Sequence, residues 1–377
     1  MRRAAAVLAA FALLAVAAPG AQARDPGRWL FTGASSIPTV YWQGLTSDPP
    51  GKRVFFVGVF EGLWRTTPGL SQTAGAAAAI PVTVTAAEGY NHIGDPTWNR
   101  DRVLLPMECY DPATGVNSCG TGAFGIVDPA TLAWRFYVKL DPAEIPKAMW
   151  AETSPDGKLI WTSSGNDLLA YRTSDVTPAN AAPGAGPIRA ARRLTGAVPP
   201  SGVTGAVFRG GRLLLAGERD GIYQVWAVDT RTGKRRLEVE LKLCGESEGL
   251  DTVATLGGTL HWLIAPSDSG CKLSFGPSSA LLHFTPHSGR SGLRVKVLRV
   301  RAPATLPGRV QAKVRVTRRG RALAGARVSF AGASGLTGRR GTVVLTTPLE
   351  LPGRFKAVAR KDSRYGLSRL VEVAWPS

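Results

Sequence analysis

The sequence predicts an all-β protein: a five-bladed, or six-bladed, β-propeller followed by a small C-terminal β-sandwich. Three observations carry that prediction. An apolar run ends in a similar short turn five times: Trp64-Arg65-Thr66-Thr67-Pro68-Gly69, Val127-Asp128-Pro129-Ala130-Thr131, Tyr171-Arg172-Thr173-Ser174-Asp175, Val228-Asp229-Thr230-Arg231-Thr232-Gly233 and Phe284-Thr285-Pro286-His287-Ser288-Gly289. Spacings at the second residue are 63, 44, 57 and 56, which suits one blade of about four strands per copy. Ahead of these runs, turns such as Pro155-Asp156-Gly157 and Arg209-Gly210-Gly211 suit hairpins between a first and a second strand. Finally, composition changes near residue 291, where alternating apolar and basic residues begin in Leu293-Arg294-Val295-Lys296-Val297.

The N-terminus comes first in chain order. Arg2 and Arg3 precede the apolar run from Ala4 to Ala18 and the small-x-small exit Ala21-Gln22-Ala23. That pattern is a cleaved secretory signal over residues 1–23, so the expected protein begins near Arg24 and is secreted, extracellular or cell-wall associated. No other stretch is long and apolar enough to span a bilayer. Four cysteines remain, an even number in an oxidising compartment, and proximity pairs Cys109 with Cys119 and Cys244 with Cys271. None of the gaps has the short spacing of a zinc site.

Residues 28–290 form the expected propeller, with second strands at 53–60, 103–107, 158–162, 212–216 and 259–265. Stretches 67–91 and 176–202 are rich in Ala, Gly and Pro and are expected to be loops; a sixth blade would have to lie there. Arg28 to Ala34 is placed as the outer strand that closes the ring. Two stacked sandwiches are the alternative, and a repeat of this length argues against them.

Residues 291–377 are the second unit. They hold 19 Lys and Arg against three acids, Glu350, Asp362 and Glu372, a net of +16. Residues 24–290 hold 25 basic and 24 acidic residues and are close to neutral. On alternate strand positions Arg294, Lys296, Arg315, Arg327, Arg354, Lys356 and Arg360 are expected to build one positive face, fitted to anionic wall polymer or acidic glycan ahead of nucleic acid.

The shared turns resemble those of quinoprotein-like and gluconolactonase- or strictosidine-synthase-like β-propellers, whose third strands commonly end in Val-Asp-x-x-Thr-Gly. Val228 to Gly233 keeps the full form, while Arg65, Arg172 and Thr285 replace the Asp. Gly320 to Val328, the later strand opening at Gly341 and Gly353-Arg354-Phe355 resemble carboxypeptidase-regulatory-like or bacterial immunoglobulin-like modules, which implies a spacer or binding accessory.

First strands of propeller blades line the axis, which places Gln43, His92, Asp95, Glu152, Thr204, Glu248 and Asp251 there as candidate ligand-binding residues. Carboxylates from three blades, Asp95, Glu152 and Glu248, are the candidate metal ligands; oxygen ligands suit Ca²⁺, and resemblance to metal-dependent propeller lactonases implies the same. His92, beside Asp95 in sequence, is the candidate catalytic base. Against this, propeller axes take polar side chains by default. His261 reads as buried packing, and His283 and His287 as surface or hairpin residues. Gly245-Glu246-Ser247-Glu248-Gly249 looks like a Gly-x-Ser-x-Gly elbow only if its acids are ignored, and it opens a blade with no following helix; no phosphate-binding loop and no motif for a quinone cofactor is present. The leading expectation is therefore a non-enzymatic, monomeric binder of a protein or small molecule, held at an anionic cell surface. A metal-dependent lactonase or esterase is the alternative.

Overall fold

The computed structural model describes residues 29–374 apart from 59, 254–258, 267–277 and 288. The signal segment 1–23 and Cys271, the expected partner of Cys244, lie outside the described residues.

Sheet I comprises Gly44–Ser47, Val54–Val57, Leu63–Thr66 and Gln72–Ala76. In sheet II, His92–Ile93 and Thr97–Asn99 both pair with Arg102–Glu108, followed by Ala123–Val127 and Trp134–Lys139. Sheet III is Glu152–Thr153, Leu159–Ser164, Asp167–Arg172 and Arg192–Leu194, and sheet IV is Gly205–Arg209, Arg212–Arg219, Ile222–Val228 and Arg235–Lys242. Sheet V is Glu246–Asp251, Leu260–Ala265 and Ser279–Pro286, with Trp29–Ile37 from the N-terminal end as its fourth strand.

Most second and third strands carry buried apolar residues on both faces, because each sheet is packed on two sides. Val103, Leu105 and Met107 join Phe55 and Leu63 of sheet I, while Leu104 turns the other way to join Ile160 and Leu169 of sheet III. Trp161 and Leu215 bridge sheets III and IV, and Tyr223 and Trp262 bridge IV and V. Leu263 and Leu281 of sheet V meet Val54 and Phe56 of sheet I, which closes the circle. The inner strands touch in the same cyclic order, Gly44–Ser47 lying against both Thr97–Asn99 and Glu246–Asp251. This radial arrangement is a β-propeller, and pairing the first strand with the last sheet leaves no open seam.

The recurring turns work through local hydrogen bonds. Asp128 Oδ1 accepts from the amides of Ala130 at 2.8 Å and Thr131 at 3.0 Å, and Asp229 Oδ1 accepts from the Arg231 amide at 2.9 Å, as expected of Asx turns. Two segments read as loops hold structure instead. Gln72–Ala76 and Arg192–Leu194 are outer strands and Val82–Glu88 is a short helix. The outer strands carry mostly exposed or half-exposed residues, so no buried face writes a period into the sequence.

Beyond sheet V, Arg294–Arg301, Gly308–Arg318, Arg321–Ala322 and Thr342–Leu349 form one sheet, and Arg290–Ser291, Arg364–Leu367, Val358–Lys361, Arg327–Phe330 and Ala333–Leu336 form another. They share an apolar core around Val310, Val314, Val328 and Phe330. Gly353–Phe355 and Val371–Val373 instead extend sheet V, since Trp29–Ile37 pairs with Gly353–Phe355 on its free side. Arg360 donates to Thr285 Oγ1 at 3.1 Å, and Lys356 Nζ lies 4.9 Å from the Phe31 ring centre. The second unit is thus joined to the propeller by a continuous sheet.

The disulfide Cys109–Cys119 is present. His283, expected at the surface, is fully buried and stacks on Phe355 with ring centres 6.1 Å apart. A buried chain runs from Ser35 Oγ to His283 Nε2 at 2.9 Å, from His283 Nδ1 to His261 Nδ1 at 2.8 Å, and from His261 Nε2 to the Val253 carbonyl. A carbonyl only accepts, so neutral His261 carries its proton on Nε2; its Nδ1 then accepts from His283, whose Nε2 accepts from the Ser35 hydroxyl. Burial holds His261 down to about 4 and His283 well below the usual histidine range, the latter helped by His261.

Depressed values mean that the unfolded chain binds more protons below pH 6.5, so the stability contributed by this pair is complete above that pH and lost as pH falls toward 4. Urea unfolding at pH 7 and pH 5 is expected to show wild type losing on the order of 2 kcal/mol more than His261→Leu/His283→Leu. Parallel losses in the two proteins would contradict the assignment.

Candidate functional site

The axis is closed by one side chain. Asp95 is fully buried, and each of the other four sheets donates a backbone amide to it. Leu45 N of sheet I reaches Oδ1 at 2.9 Å; Ala206 N of sheet IV and Leu250 N of sheet V reach Oδ2 at 3.0 and 3.4 Å. Ala151 N, entering sheet III, reaches the Asp95 carbonyl at 3.0 Å, and Asp95 N returns a bond to Met149 O at 2.9 Å. Such convergence requires backbones without side chains between them. A Cβ on Gly44 would sit 2.5 Å from the Asp95 Cα, and one on Gly249 would collide with Asp95 Oδ1 and the Gly44 Cα.

This layer divides the axis. On one side Gln43 Nε2 donates to Glu248 Oε2 at 2.9 Å, and Thr204 Oγ1 lies 2.8 Å from Ser247 Oγ. On the other, Glu152 and Asp251 form the floor of an open cleft of about 690 Å³, walled by loops and strand ends of sheets I to V. Thr97 Oγ1 accepts from the Thr153 amide at 3.0 Å and donates to Glu152 Oε2 at 2.8 Å, while Phe208 N donates to Oε1 at 2.7 Å. Asp251 Oδ1 accepts from Thr252 N at 2.6 Å, and its buried Oδ2 has no partner.

Burial dominates the electrostatics. It pushes Glu152 up to about 8, with the Asp251 charge adding to the rise and the Phe208 and Thr97 bonds opposing it. Asp251 is lifted by burial to about 6, opposed by the nearby Ser47 hydroxyl and the Thr252 amide. Burial also raises Asp95 well above the carboxylate range despite its three amide donors, and raises Glu248, with help from the charges of Glu246 and Asp95.

The expected metal set is not assembled. Asp95 is sealed behind Gly44 and Gly249 with both oxygens accepting amides, and it stands between Glu152 and Glu248. Among the described residues no three His, Cys, Asp or Glu side chains group to hold an ion, so the residues expected to hold Ca²⁺ do not fit it. The proposed base is also elsewhere. His92 Nδ1 lies 3.0 Å from Glu108 Oε1, not beside Asp95, and Lys147 Nζ is 3.8 Å from Glu108 Oε2; none of the three lines the cleft.

The basic residues divide too. Arg294, Lys296 and Arg315 do share an exposed face, joined there by Arg299, Arg301, Arg309 and Lys313 of the same two strands. Lys296 stands opposite Arg315, and Arg299 opposite Lys313. Arg327 and Arg360 pair on the other sheet, Arg354 Nε is 3.3 Å from Glu372 Oε2, and Lys356 and Arg360 face the propeller. Alternation identified basic strands, but only strand pairing shows which of them are neighbours.

Sequence reasoning missed the axial glycines and the place of Phe208 in the cleft wall. One signal was available: Gly44, Gly94, Gly205 and Gly249 occupy the same place in four of the inner strands.

No known protein family matches this chain, and no curated protein does. Similar solved structures include a luciferin-regenerating enzyme, 11% identical with a TM-score of 0.44, covering 67% of this chain and 94% of that one. Myxococcus xanthus glutaminyl cyclase is 8% identical with a TM-score of 0.43 over 68% and 97% of the two chains. The aldose sugar dehydrogenase of Streptomyces coelicolor, in its PQQ-bound form, is 10% identical with a TM-score of 0.35 over 70% and 99%. At such scores and identities they carry no argument about ligand or reaction. The class that the sheets and axis define is the β-propeller.

Asp95→Ala is expected to leave three buried amides without acceptors and to destabilise the protein by more than about 3 kcal/mol in denaturant unfolding. Raised folded values for Glu152 and Asp251 mean that the folded state holds protons the unfolded chain has lost; their neutral forms stabilise fully below about pH 4, and that contribution disappears as pH rises to 8. Glu152→Gln is therefore expected to flatten the fall in stability between pH 5 and pH 8, and an unchanged slope would contradict the burial of Glu152.

Proposed function

We propose that this is an exported, five-bladed propeller that binds a ligand or partner in the axial cleft, followed by a basic immunoglobulin-like sandwich that holds it at an anionic cell surface. The observation that carries the reading is the cleft over the Asp95 layer. It is concave and of ligand size, gathers loops from all the sheets, and has at its floor a carboxylate oxygen without a partner. Buried polar atoms left unsatisfied in an otherwise bonded site are where a ligand supplies the missing donor. The surface-holding part is supported by the like-charge pairs on the exposed face, since opposed cations destabilise a sheet unless something anionic lies across them.

Thr252 lines the cleft. Compounds that raise the melting temperature of the full chain in a small-molecule screen are expected to lose that effect on Thr252→Trp, which fills the cleft. Hits that act equally on the variant would remove the cleft from the reading. For the surface, Lys296→Glu/Lys313→Glu/Arg315→Glu is expected to elute from a heparin column at much lower salt than wild type. Co-elution would remove the basic face as the anchor.

A further inference from the structure

The floor of the cleft specifies the chemistry of what it takes. Glu152 and Asp251 line the same cleft, the charge of Asp251 adds to the rise of Glu152, and among the described residues neither has a Lys or Arg within ion-pair distance. The charged groups around them are Asp95 below, the Asp48–Arg53 pair at 2.9 Å, and Arg100 and Asp156 among the cleft's outer residues. Arg100 is exposed. Asp251 is only 6% exposed, yet its Oδ2 has no hydrogen-bond partner. Asp251 is buried and Glu152 half-buried, and paired carboxylates so removed from water are costly without a compensating positive charge or donor.

Three candidates answer that need differently. A hard divalent ion gathers several oxygen ligands, commonly more than two carboxylates, and among the described residues no third acid joins the pair. A neutral polyol supplies donors but leaves the repulsion between the acids in place. An ammonium group brings three donors and one positive charge, and Val207, Phe208 and Val253 supply apolar wall for the carbon chain that carries it.

We propose that the cleft binds its ligand through a protonated amine, with the ammonium between Glu152 and Asp251 and the carbon body against Val207, Phe208 and Val253. This rests on the cleft being the ligand site and adds the class of ligand. No covalent step is involved. Binding draws the two carboxyls into their ionised forms, so it releases protons when it occurs below their folded values.

The test is calorimetric titration of the full chain at pH 7 with hexylammonium chloride, hexanol and calcium chloride, each in two buffers of different ionisation heat. Saturable hexylammonium binding is expected, at least tenfold tighter than hexanol, with a buffer-dependent heat that reports proton release. Asp251→Asn and Glu152→Gln, confirmed as folded by circular dichroism, are each expected to weaken it at least tenfold. Equal binding of hexanol, sensitive to Thr252→Trp, would overturn the amine while leaving the cleft reading intact. Saturable calcium binding lost in the two variants, without hexylammonium binding, would overturn it in favour of a metal. No hexylammonium binding, or binding indifferent to both variants, would also overturn it.

Discussion

One buried carboxylate ties the ring together. Leu45, Ala206 and Leu250 come from three different sheets and Ala151 leads into a fourth, and each gives its amide to Asp95, which lies between the two inner strands of the remaining one. A propeller's sheets otherwise meet mainly through side-chain packing between neighbours. Here non-adjacent sheets are linked through a single residue, so displacing any inner strand breaks a bond at the common centre. Hydrogen bonds to a buried acceptor carry a large penalty when unmade, and this makes ring closure cooperative rather than a sum of neighbouring contacts.

That same layer creates the cleft. Because Asp95 and the flanking glycines fill the axis, the propeller has two separate ends instead of a through channel at this level. Glu248, Gln43 and Thr204 remain on one side, and Glu152 and Asp251 remain on the other, facing the cleft.

Closure by Trp29–Ile37 has a second consequence. The strand is paired on both edges, to Ser279–Pro286 and to Gly353–Phe355, and His283 beneath it stacks on Phe355 while its ring nitrogens bond Ser35 and His261. The basic unit is therefore held in a defined orientation to the propeller. Arg354, Lys356 and Arg360 serve that junction, and the free cations are left on the outward sheet around Lys296, Lys313 and Arg315.

The repeat, the hairpin order, the N-terminal closing strand and the Cys109–Cys119 bridge were legible in the sequence because each is local or periodic: a turn needs particular residues, and a strand buried on both faces shows a continuous apolar run. Gln72–Ala76 and Arg192–Leu194 were not legible, since exposed outer strands leave no such record. The chain by itself also singled out Asp95, Glu152, Glu248 and Asp251 as axial. Their depth along the axis was decided only by tertiary structure, through the register at which the inner strands meet around Gly44 and Gly249. That register makes Asp95 a structural tie, pairs His92 with Glu108, and leaves Glu152 and Asp251 facing the cleft, because hydrogen bonding between residues remote in sequence depends on where backbones converge.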